Sequence, residues 1–134
     1  MSYAMNTKDL KEGSIVEKKS KETSLIETME RQYPETTSEF KRIQKMQYFL
    51  FCRKQHDYGP TNISVGSNLE TPEEVDLSMT GIWFRINDKV QRIKNLLINK
   101  KANAVKNESI VDSFFDLSNY GIMAMIVKNG KWGK

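Results

Sequence analysis

The chain has 134 residues, 38% hydrophobic and 28% charged, which is enough for one domain with a core of modest size. Its 21 basic and 17 acidic residues leave a net charge of +4, a weak bias that suits plain solubility or a nucleotide as well as nucleic acid. A single Cys and a single His exclude an intrachain disulfide and the usual Cys/His zinc sites.

Residues 1–23 are rich in Lys, Glu, Ser and Thr, with Ile15-Val16 as an apolar pair, and predict a flexible or loosely docked arm ahead of a single helical domain over 24–134. The mixed-sign cluster Glu17-Lys18-Lys19-Ser20-Lys21-Glu22 argues against a nucleic-acid arm, so direct nucleic-acid binding is not expected. The first eleven residues lack the apolar block of a secretory signal. The longest apolar-rich segment, Ile122 to Val127, is too short for a bilayer. A cytoplasmic protein without membrane contact is the expectation.

Leu25, Ile26, Met29 and Tyr33 recur at helical spacing until Pro34 stops the run. Thr36 followed by Glu39 has the form of a capping box and predicts a helix from Thr37 to about His56, with a face of Phe40, Ile43, Gln47 flanked by Met46, Leu50 and Phe51. Cys52 in this run reads as a small core residue. Asp57-Tyr58-Gly59-Pro60 ends the helix, and a long polar loop is expected to about Ser78. Within it, Thr71-Pro72-Glu73-Glu74 has the form of a capped helix start, opening either a short turn or the long helix expected from about Met79 to Asn99. Ile82, Ile86, Val90, Ile93 and Leu97 stripe that helix, and Trp83-Phe84 reads as core. After a polar linker, Asn107 is the expected N-cap of a last helix from Glu108 to Lys128, closed by Asn129-Gly130. These elements predict an all-α fold, a small bundle of three to four helices completed by oligomerisation.

On the last helix Glu108, Asp112, Asp116 and Asn119 fall within about 80° of one another, while apolar residues fill most of the remaining circumference. Like charges four apart repel, so compensation is required. A hard divalent cation such as Mg²⁺ would supply it together with nucleotide phosphates. Basic side chains of the preceding helix would also supply it, where Arg85, Asp88, Lys89 and Arg92 form a polar face. A solvated face is the third reading. Where the earlier helix ends, Gly59 would let a ligand approach the backbone, and Tyr58 could stack on a base with Asn62 nearby. Alternatively these residues are simply a helix C-cap.

Three ordered segments, Arg53-Lys54-Gln55-His56-Asp57-Tyr58-Gly59 with Asn62, Arg85-Ile86-Asn87-Asp88-Lys89 with Arg92 and Asn95, and Asn107-Glu108-Ser109 leading to Asp112, Asp116, Asn119 and Tyr120, resemble the nucleotide modification associated domain family of phages and bacteria. The resemblance spans about residues 36–132. It implies an α-helical domain tied to nucleotide or DNA-base modification, in the bacterial host's cytoplasm if phage-encoded. The last helix is also similar to the second acidic helix of the MazG-like all-α nucleoside triphosphate pyrophosphohydrolases. That likeness implies a Mg²⁺-dependent enzyme with Glu108, Asp112 and Asp116 as metal ligands. Arg85, Lys89 and Arg92 would neutralise phosphate, and Tyr58, Gly59, Asn62, Asp88, Asn119 and Tyr120 would complete the nucleotide site. Those enzymes carry a Glu-Glu-x-x-Glu set on an earlier helix, which the Phe40 to His56 segment lacks. The second expectation is a homo-oligomeric nucleotide-binding protein that sequesters a nucleotide or a host nucleotide signal without cleaving it.

Overall fold

The computed structural model describes residues 12–134, and among them all regular structure is helical. The helices are α1 (Glu12–Gln32), α2 (Pro34–Tyr58), a single turn α3 (Thr61–Ser64), α4 (Pro72–Ile93) and α5 (Ile110–Lys128), with α4 continuing into a π-helical turn, Lys94–Ile98. The chain divides into two units, residues 1–45 and 46–134, with the boundary inside α2.

In the first unit α1 already runs from Glu12, so the part of the expected arm within 12–23 is helical, while positions 1–11 lie outside the described residues. The reason is intrinsic propensity: Lys and Glu favour helix without any apolar stripe. Helix α2 begins at Pro34 rather than Thr37, because Pro suits the first helical position, where its missing N–H would have no partner. Thr36 is therefore inside the helix and caps nothing. Thr37 bonds back through Oγ1 to the carbonyls of Tyr33 (3.0 Å) and Pro34 (3.3 Å), and Lys41 pairs with Glu30 of α1 at 2.6 Å.

The second unit holds the core. Ile63 on α3, Ile82 on α4, Val127 on α5 and Trp132 beyond it are the buried apolar residues, surrounded by Phe51, Val75, Met79, Ile86, Met123 and others. Ser78 is fully buried on α4 and donates to the Ile63 carbonyl at 2.6 Å, so the small hydroxyl both admits α3 to close range and satisfies its backbone. Trp132 donates Nε1–H to the Pro60 carbonyl at 2.9 Å and meets the Phe51 ring edge-on at 6.1 Å. The C-terminal tail thus closes the core over α3.

Helix α4 starts at the Thr71 capping box, with Pro72 following and the Glu74 carboxylate returning to the Thr71 N–H. The expected long loop shrinks accordingly to α3 and the residues joining it to Thr71. Ile82 is buried, but Val90 and Leu97 of the predicted stripe are exposed. Trp83 and Phe84, expected in the core, are exposed as well, because the buried face of α4 is the one that carries Ser78 and Ile82. Cys52 is also exposed rather than core.

The N-cap of α5 is Ser109, not Asn107: Ser109 Oγ accepts from the Asp112 N–H, and the Asp112 carboxylate accepts from the Ser109 N–H at 2.7 Å. Asn107 instead adopts a left-handed conformation with φ 65°, which Asn tolerates well. Glu108 therefore lies before the helix, not on it. Helix α5 is long and apolar enough, by length and composition alone, to cross a bilayer. The uninterrupted apolar run sought in the sequence misses this property, which is spread around the helix between isolated polar residues.

Candidate functional site

Asp116, two turns into α5, is the hub of the acidic seam. Its side chain is 12% exposed and takes Lys54 Nζ of α2 on one oxygen at 2.6 Å and Lys89 Nζ of α4 on the other at 3.0 Å. Lys89 also reaches Glu108 at 3.6 Å, as does Arg92 at 3.9 Å. Burial alone would raise the Asp116 carboxyl, but hydrogen bonds and charge from Lys54 and Lys89 outweigh it and hold it below the usual carboxylate range. For Lys89 burial lowers the ammonium, and Asp116 and Glu108 reverse this and raise it. Of the readings the sequence left open for the seam, the geometry displays the ion-pair network with the preceding helix, extended to Lys54, which that reading did not include.

The other seam residues have separate tasks. Asp112 is occupied by the capping box. Asn119 is buried and donates Nδ2–H to the Gln47 carbonyl at 3.3 Å, while the Gln47 amide donates to Ser118 Oγ, which ties α2 to α5. Arg92 donates to the carbonyls of Ser109 (3.0 Å) and Glu108 (2.6 Å), to Asn103 Oδ1 (3.1 Å) and to buried Ser113 Oγ. Its guanidinium thereby staples the linker before α5 to α4. Asp88 is exposed and does not line the cleft described below. Among the described residues no three His, Cys, Asp or Glu side chains converge as a metal set. The carboxylates expected to hold Mg²⁺ thus do not form a ligand cluster.

Beside the hub the helices leave an open cleft of about 530 Å³, including space continuous with solvent. Tyr58, Asn62, Arg85, Asp116, Asn119 and Tyr120 line it, six residues that the sequence singled out in three separate segments. Gly59 lies outside the lining but shapes it: with φ 66° it turns the chain from α2 into α3, and its N–H bonds the Gln55 carbonyl at 2.9 Å. Phe51, Lys54, Gln55, Ile63 and Met123 complete the walls. Of these, Phe51, Lys54 and Gln55 precede Tyr58 by seven, four and three residues, so the helical period marks them once α2 is known to run through Tyr58. Arg85 donates Nη2–H to the Asn62 carbonyl at 3.3 Å, and its remaining donors have no partner among the described residues. The buried Asn62 Oδ1 accepts no hydrogen bond. The cleft therefore combines an aromatic ring with a planar cation that has spare donors.

A family model described as nucleotide modification associated domain 1 matches residues 54–127, more than half of the chain and all of the cleft except Phe51. No curated protein and no solved structure matches the chain.

Proposed function

Because the chain belongs to the nucleotide modification associated domain 1 family, we propose that it binds a nucleotide in the cleft between α2, α3, α4 and α5. The observation that carries this reading is the convergence of Tyr58, Asn62 and Arg85 in one cleft inside the family segment. The exposed Tyr58 ring offers a stacking surface for a base, worth about 1–3 kcal/mol. Arg85 has fork donors suited to a phosphate.

The role proposed is capture of a nucleotide within nucleotide or DNA-base modification. A Mg²⁺-dependent pyrophosphohydrolase does not fit these residues, since Asp112 caps α5 and Asp116 lies between two lysines. Thermal-shift measurement over a panel of nucleoside mono-, di- and triphosphates, in Mg²⁺ and in EDTA, tests the reading. At a ligand concentration a hundredfold above Kd, stabilisation of about 2.7 kcal/mol is expected, undiminished by EDTA and abolished by Arg85→Ala. Absence of any shift across the panel in both conditions refutes binding. Release of pyrophosphate that depends on Mg²⁺ and on Asp116 refutes the metal-free account.

A further inference from the structure

The charged side chains that line the cleft are Lys54, Arg85 and Asp116. Lys54 and Asp116 are committed to each other, since Asp116 takes Lys54 on one oxygen at 2.6 Å and Lys89 on the other at 3.0 Å. Lys89 in turn reaches Glu108 at 3.6 Å. The two ammonium groups and two carboxylates of this network cancel. Arg85 stands outside it: one Nη2–H goes to the Asn62 carbonyl at 3.3 Å, and its guanidinium forms no ion pair among the described residues. The cleft thus offers a ligand one uncommitted positive charge.

We propose, given that the cleft binds a nucleotide, that its ligand is a nucleoside monophosphate rather than a di- or triphosphate. A phosphomonoester carries a charge of about −1.5 to −2 at neutral pH, and a guanidinium fork meets two of its oxygens at once. Each further phosphate adds negative charge and finds no second uncommitted cation in the walls. To recruit Lys54 it must break the 2.6 Å pair with Asp116, which leaves a carboxylate of 12% exposure short of a partner and facing the same anion. A triphosphate brought in with Mg²⁺ escapes this count only where the protein offers the metal a carboxylate. Asp112 is spent on the α5 cap and Asp116 on two lysines. The base, stacked on Tyr58, and a single phosphate on Arg85 therefore use what the cleft has to give.

Isothermal titration calorimetry of the full chain in EDTA tests the proposal, with the nucleoside and its mono-, di- and triphosphate for each common base. The monophosphate is expected to bind about tenfold or more tighter than its nucleoside, and at least as tightly as the di- and triphosphate. Arg85→Ala should bring it down to the affinity of the nucleoside. Gln55→Lys adds a cation to the cleft wall and should shift the preference toward triphosphate by about fivefold. Asp116→Asn, which frees both lysines, should shift it the same way; should that variant fail to fold, Gln55→Lys decides alone. A triphosphate that binds tighter than the monophosphate, or a preference that Gln55→Lys leaves unmoved, overturns the monophosphate assignment while nucleotide binding stands. Failure of every nucleotide to bind, at any phosphate length, overturns nucleotide binding itself and the assignment with it.

Discussion

Asp116→Asn tests the ion-pair hub most directly. The substitution keeps the side-chain shape but removes the charge that anchors both Lys54 and Lys89. A fully buried pair broken in this way costs about 3–5 kcal/mol, and an exposed pair about 0.2–1 kcal/mol. With side-chain exposures of 12% for Asp116, 22% for Lys89 and 46% for Lys54, the hub lies between these limits, and we expect a loss of about 2 kcal/mol. That is roughly a thirtyfold fall in the folded-to-unfolded ratio and a drop in Tm of about 6–8 °C for a chain of this size. In urea the midpoint falls by about 1 M at unchanged slope. The pH profile supplies a second readout. Asp116 has a folded pKa held below its ordinary 3.8, so its contribution is present above that value and disappears as pH falls through the lower folded pKa. Lys89 is raised above its ordinary 10.5, so its contribution is complete below that value and disappears as pH rises through the folded pKa. The contributions of these two groups should therefore be flat between these windows in the parent, and Asp116→Asn should lower the plateau while removing most of this group's acid limb. A loss under about 0.5 kcal/mol, or an acid limb identical to that of the parent, would refute the claim that the hub is a desolvated network.

Arg92→Ala removes donors to two carbonyls, Asn103 and buried Ser113, and should cost about 2–4 kcal/mol by denaturant titration, with Arg92→Lys recovering under half of it because an ammonium lacks the fork. Trp132→Ala empties a buried core position and the Pro60 hydrogen bond; a loss of about 3–5 kcal/mol is expected from thermal unfolding. Thr71→Ala deletes one half of the α4 capping box and should cost about 1 kcal/mol, without changing nucleotide-induced stabilisation, since Thr71 does not line the cleft.

The helical character of the chain and the capping box at Thr71 are local matters, set by propensity and by side chains reaching their own backbone three residues away. They are legible without any partner. The same holds for Tyr58, Asn62, Arg85, Asp116, Asn119 and Tyr120 as unusual residues, although their convergence on one cleft is not. Position along a helix names a face but not its neighbour. Asp116 therefore reads equally as metal ligand or ion-pair partner until α2 and α4 deliver Lys54 and Lys89 to opposite oxygens. Arg92 reads as a phosphate ligand until the linker carbonyls surround it. Trp132, from a tail with no periodic pattern, enters the core only because α3 offers it the Pro60 carbonyl and α2 the Phe51 ring. Conversely, Trp83 and Phe84 are exposed although their type predicts burial, because which side of α4 is covered depends on where α5 lies. Which residues form helix followed from the sequence alone, since helix hydrogen bonds close within four residues. Which charges meet, and which apolar faces are left bare, was decided by contacts between residues up to 72 apart in the chain.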